Sequence, residues 1–413
     1  MSEPVPGQED FSQQGRTFRL ELFRAVPAGL VDTSLSTFAV FIAIQVFELS
    51  QYTKASLVAA SSIGMLISLF VVQLARRLGK PINVVAASTW LLGAVGFAVA
   101  ATSGQHPTRY VVSCCVALSA FGMGAPLISQ IYRKHYPNDK RGRLFSFAAM
   151  TRASIAGLAA WLIGSWISTQ GNAFAPLFWA YSSACIAMAV CVLSTAPVVL
   201  RRTRQVKWFD AFQHVSRDRA FRKLLVIWMI FGFGNLMAWA LFVEYITNPI
   251  YGFAYDAEKV VLITSTIPML AFISFVIHWG MIFDRLPFYT VRAIVNLFFI
   301  AGILTFYLGS SFLTLCLGIG LHGLARGGGN IIWSLWVTRF ADSDRVVEYM
   351  SVHTFLTGTR GILAPFVAFY LVTSATPSIV SWTSATLILI STLAILPEIL
   401  QERREANMTG KPA

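Results

Sequence analysis

Long apolar runs alternate with short polar breaks along this chain. A helix needs about 20 apolar residues to cross a hydrocarbon core of about 30 Å. Twelve runs reach that length, near 22–48, 55–76, 82–102, 109–131, 144–168, 174–198, 222–247, 259–283, 289–309, 312–338, 348–372 and 379–398. The breaks are turn signals such as Gly104-Gln105-His106-Pro107 and Gly171-Asn172, or charge clusters such as Arg76-Arg77. The pattern predicts an all-α membrane protein with twelve transmembrane helices.

Composition supports this reading. Of 413 residues, 56% are hydrophobic and 12% charged, against about 25% charged in a soluble domain. The start, MSEPVPGQEDFSQQGR, lacks the basic end and short apolar core of a cleaved signal peptide, so the first helix is expected to stay in the membrane. A net charge of +13 would suggest nucleic acid on a soluble protein. Here most of the 32 lysines and arginines fall on alternate links, while the opposite links hold Lys54, Arg109 and Lys259. By the positive-inside rule both termini are cytoplasmic, the partner of that charge is the lipid bilayer, and no nucleic-acid partner is expected. A bacterial cytoplasmic membrane is the expected location. Cys114, Cys115, Cys185, Cys191 and Cys316 lie in apolar runs without metal-ligand spacing and read as packing residues. No disulfide, metal or cofactor is predicted.

The longest interior link divides six runs from six. The expected plan is a cytoplasmic tail at 1–21, a six-helix bundle at 22–198, a basic linker at 199–221, a second bundle at 222–398 and a tail at 399–413. Trp208, Phe209, Phe212 and Val215 among the linker's arginines suggest an amphipathic surface helix, with a plain tether as the simpler reading. The halves repeat weakly. Offset by about 208 residues, Leu74-Ala75-Arg76-Arg77-Leu78 falls on Ile282-Phe283-Asp284-Arg285-Leu286, and Thr151 to Gly157 overlays the stretch around Gly361 at a slightly shorter offset. Parallel repeats of six helices are a known transporter plan.

Gly280 followed after three residues by Asp284-Arg285, the basic remnant Arg76, Arg77, Gly79 and Lys80 at the matching place in the first half, and Arg141-Gly142-Arg143 between helices 4 and 5 carry a resemblance. On these residues and the twelve-helix plan, the chain resembles the major facilitator superfamily of transporters. The resemblance implies two pseudo-symmetric six-helix bundles working by alternating access. It also implies a cytoplasmic latch at Gly280, Asp284 and Arg285 and at Arg76, Arg77 and Gly79; Arg76 stands where the family has aspartate and Val72 where it has glycine, which alters the first-half latch. The family's antiporter signature in helix 5, a glycine run ending Gly-Pro, is absent, which weighs against a plain drug antiporter.

In the family's fold helices 3, 6, 9 and 12 stand outside, and the interiors of those segments read as free of ionisable residues. The other segments carry Asp32, Arg152, His278, His322, Arg326, His353 and Arg360. A guanidinium at mid-membrane costs at least about 2.5–3.5 kcal/mol, so it needs a partner, water or a ligand. Arg326 and Arg360 are candidates for an anionic substrate group, since a guanidinium matches a carboxylate with two parallel bonds; bracing of helices is the alternative. Asn330, Asn235, Gln45, Trp239 and Trp333 are further candidates for substrate contact. Asp32, the one carboxylate deep in a span, could carry a proton or pair with Arg152, and His322 and His353 could relay protons or simply pack. Gly327-Gly328-Gly329 predicts either close helix packing or a locally opened helix. The expected function is secondary transport of a small organic anion or zwitterion, coupled to protons. Efflux of an amphipathic cation with Asp32 as counter-charge is the second transport reading, and a non-transporting scaffold or sensor the third. No catalytic set or phosphate-cradling loop suggests an enzyme.

Overall fold

The computed structural model describes residues 8–136, 141–170, 173–200, 212–336, 346–374 and 376–409. The described residues form helices joined by short links. Helix α1 runs Gln8–Thr33 and continues through a π-helical turn, Ser34–Phe38, into Ala39–Gln45. It is followed by α2 (Gln51–Leu78), α3 (Ile82–Ala101), α4 (Pro107–His135), α5 (Arg141–Thr169) and α6 (Ala175–Leu193). The second set is α7 (Arg219–Thr247), then α8, which runs Ala257–Val261, a π turn Leu262–Thr266 and Ile267–Arg285. It closes with α9 (Phe288–Leu308), α10 (Phe312–Leu335), α11 (Val346–Ser374), α12 (Pro377–Leu393) and a polar α13 (Leu396–Thr409).

Local sequence sets these boundaries. The Ser50 hydroxyl accepts from the Thr53 amide to start α2, and Gly79 at φ 61° ends it in the left-handed conformation that a Cβ disfavours. The Asp218 carboxylate accepts from the Phe221 amide at 2.9 Å to start α7. Ser311 and Thr314 form a reciprocal capping box on α10. Ten of the described helices are long and apolar enough to cross a membrane. The other two of spanning length, α1 and α10, are those most loaded with polar residues and glycine.

The chain divides into two compact units, 1–206 with 254–261, and 207–253 with 262–413. In the first unit α1 packs on α5 and α6, α2 on α4, and α3 on α4 and α6. In the second α7 packs on α11 and α12, α8 on α10, and α9 on α10 and α12. Each pairing recurs six helices later, so the weak repeat in sequence corresponds to one packing plan used twice. Trp90, Leu127, Ile131 and Met188 are buried in the core of the first unit, and Phe288, Phe306, Tyr307 and Ile388 in that of the second. Val95, Leu158, Trp161, Leu297, Leu363 and Tyr370 are exposed, apolar surface suited to lipid.

Of the linker's expected surface helix, Trp208 and Phe209 lie outside the described residues. Phe212 packs edge-on against Phe355 of α11, ring centroids 5.4 Å apart, and Gln213–Arg217 forms a single helical turn.

Candidate functional site

In the first unit the site begins at a glycine. A Cβ on Gly29 would meet the Arg152 carbonyl oxygen at 2.5 Å and Ile155 Cβ at 2.9 Å, so only glycine lets α1 and α5 approach this closely. Three residues on, Asp32 faces Arg152 and accepts from Nε at 2.6 Å and from Nη2 at 2.5 Å. The pair is not sealed: 39% of the Arg152 side chain and 26% of that of Asp32 remain exposed. The π turn of α1 starts two residues after Asp32, and such turns often accompany functional sites. Eight residues before Asp32 the structure adds a pair the sequence did not single out. Arg24 donates through Nε to Glu21 at 2.8 Å and through Nη2 to the Tyr132 hydroxyl at 3.1 Å, with Trp90 5.0 Å away. Arg24 and Glu21 are both buried. Arg24 therefore belongs to the bundle interior and not to the polar terminal link.

In the second unit α10 presents Arg326 and Asn330 as exposed residues, with Trp333 half-buried on the same helical stripe at i, i+4, i+7. His322, one turn from Arg326, is 2% exposed. Its Nε2 lies 3.1 Å from the Asn235 side-chain oxygen, and its ring is 5.1 Å from that of Phe242 and 5.0 Å from that of Phe299. Asn235 thus orients His322. Trp239 and Gln45 are half-buried. Through Gly327-Gly328-Gly329 the helix is unbroken. A Cβ on Gly328 would lie 2.5 Å from Val295 Cγ2 and 2.8 Å from the Trp279 ring, and Trp279 Nε1 donates to the Leu324 carbonyl at 2.9 Å. Close packing accounts for these glycines, and the locally opened helix is corrected.

Arg360 sits within the second unit, 8% exposed, and donates to the Trp228 carbonyl of α7. His353 is fully buried among the rings of Trp228, Trp333 and Trp336, at centroid distances of 5.5, 5.7 and 5.0 Å. Of the latch residues, Gly79 caps α2, Arg285 is exposed at the end of α8, and nothing lies within 4 Å of where a Cβ on Gly280 would stand. Arg76 is half-buried and Arg77 exposed; the Asp284 side chain is outside the described set.

The expectation of a ninth helix whose interior is free of ionisable residues is corrected by Arg292, which is 2% exposed and lies inside α9. Its guanidinium stacks on the Trp228 ring at 3.5 Å and near Phe231 at 4.4 Å. Pro287 was the available signal, because a helix starting there puts residue 292 more than a turn inside. Burying an ion costs several kcal/mol, while a desolvated cation–π contact returns about 2 kcal/mol. The aromatic rings therefore offset part of the cost only.

Residues 12–160 match the family model described as Major Facilitator Superfamily. Over more than nine-tenths of the chain the fold is similar to that of solved transporters. The nucleoside transporter NupG superposes with TM-score 0.73 at 14% identity, covering 92% of this chain and 98% of its own. A D-xylose-proton symporter gives 0.65 at 17% identity, with 94% and 97% covered. A POT family transporter in complex with 5-aminolevulinic acid gives 0.69 at 14% identity, with 93% and 95% covered. No curated protein matches the sequence.

Proposed function

We propose that the chain is a transporter of the major facilitator superfamily, whose model matches residues 12–160, and that it moves a small organic anion or zwitterion by alternating access, coupled to protons. The observation that carries this is the exposed stripe on α10. Arg326 supplies positive charge and a two-pronged donor, Asn330 adds a polar group one turn on, and Trp333 offers a ring face. In this reading Arg326 and Asn330 engage the carboxylate or phosphate of the substrate, with Trp239, Trp333 and Gln45 contributing contacts. The Asp32–Arg152 pair serves coupling: both side chains remain partly exposed, and protonation of Asp32 would free the guanidinium. The fold accommodates this chemistry elsewhere, since the POT structure holds 5-aminolevulinic acid and the xylose relative is a proton symporter. Efflux of a cation with Asp32 as counter-charge is disfavoured, because both Asp32 oxygens are engaged by Arg152.

The test is solid-supported-membrane electrophysiology on reconstituted protein, screening small anions, zwitterions and lipophilic cations with and without a pH gradient. An anion- or zwitterion-evoked current is expected, reduced at least about tenfold in Arg326→Ala, as a lost charged hydrogen bond of about 1.5–3 kcal/mol implies. Currents evoked by lipophilic cations alone, or an anion current indifferent to Arg326→Ala, would overturn the proposal.

A further inference from the structure

One turn of α7, Trp228 to Gly232, gathers two buried guanidiniums with no acid paired to either among the described residues. Arg292 of α9 lies over the Trp228 and Phe231 rings. Arg360 of α11 holds the Trp228 carbonyl, and its guanidinium occupies space that glycine leaves open, since a Cβ on Gly232 would stand 2.6 Å from Nε. Both groups meet Trp228, whose ring lies 5.5 Å from that of His353. Their neighbours can donate as well, Trp228 through its indole N–H, Thr357 through its hydroxyl and His353 through one ring nitrogen. Nε and Nη2 of Arg292, Nε of Arg360, both ring nitrogens of His353, the indole nitrogen of Trp228 and the Thr357 hydroxyl are all buried and find no hydrogen-bond partner among the described residues. Neither guanidinium forms an ion pair with a carboxylate of that set. Buried polar groups are ordinarily paired, and buried charges compensated.

We infer that the second unit holds a compact inorganic anion of halide size against Arg292 and Arg360, with His353, Thr357 and the Trp228 indole as further donors. At 2% and 8% exposure the two arginines are too enclosed for an organic substrate, whereas a halide needs only convergent donors and one negative charge. This site is distinct from the exposed stripe of Arg326 and serves to hold α7, α9 and α11 together.

The test uses purified full-length protein in detergent with no substrate. Sodium chloride or bromide replaces sodium gluconate at constant ionic strength while thermal unfolding is followed. The midpoint should rise saturably with halide, by about 5 °C at a hundredfold excess over half-saturation. Arg292→Gln should lose the rise and Arg326→Gln should keep it. Equal midpoints in chloride and gluconate, or a rise unchanged in Arg292→Gln, would overturn the inference. Should Arg292→Gln fail to fold, crystals of the native protein grown in bromide decide: an anomalous peak within hydrogen-bonding reach of Arg292 and Arg360 supports the site, and its absence there refutes it. Because no substrate is present, the result is independent of what Arg326 binds.

Discussion

Asp32 accepts two bonds from Arg152 while a quarter of its side chain stays exposed. A pair this wet contributes little to stability, roughly 1 kcal/mol at most, so its replacement should be felt in transport more than in folding. Asp32→Asn is expected to abolish uptake driven by a pH gradient while leaving substrate counterflow and the thermal midpoint close to native. Paired proteoliposome assays check this, and gradient-driven uptake at the native rate would count against coupling through Asp32. At this scale the sequence was legible where a charge fell deep in an apolar run, as Asp32, Arg152, Arg326 and Arg360 do. It was not legible for Arg24 and Arg292, which stand near helix ends. There burial depends on which neighbour covers them, Tyr132 and Trp90 in one case and Trp228 in the other.

Helix pairs are fixed by residues that carry no chemistry. A Cβ on Gly64 of α2 would lie 2.9 Å from Ser119 Cα, and one on Gly122 of α4 would lie 2.8 Å from the Met65 amide. The opposing atoms are backbone and cannot rotate away. Gly64→Leu should therefore lower the thermal midpoint and the yield of folded protein, at a cost of about 1–3 kcal/mol or more. Gly280→Leu, with nothing within 4 Å of the new Cβ, should leave the midpoint unchanged in the same assay. A second contact ties α1 to the end of α4, where the Thr17 hydroxyl and His135 Nδ1 lie 3.1 Å apart. Burial, aided by Lys134, holds the His135 pKa below its ordinary value, which is about 6.5. As pH falls through that value the unfolded chain takes up the proton first, so the contribution of His135 is present above about pH 6.5 and declines below it. His135→Gln should flatten the fall in midpoint between about pH 6.5 and 5; an unchanged slope would show that other groups cause it.

At the scale of the whole molecule, two units share one pairing plan and differ in charge. In the first, Arg24 and Arg152 are each matched to a carboxylate. In the second, Arg292 meets rings and Arg360 a backbone carbonyl. That asymmetry is the reason to seek anions on the second unit and protons on the first. The basic links lead to the expectation that reporters fused to either terminus read cytoplasmic, with alkaline phosphatase inactive and green fluorescent protein bright at both ends; opposite readings at the two ends would refute an even number of spans. Hydrophobic run length alone determined the helices, because a bilayer demands internally bonded backbone over a fixed thickness, and that demand is written locally. Which charges are paired, stacked or exposed was decided only by the tertiary structure. Partners such as Asp32 and Arg152, or Trp228 and Arg360, stand far apart in the chain and meet where Gly29 and Gly232 leave room, glycines whose role depends on the helix opposite.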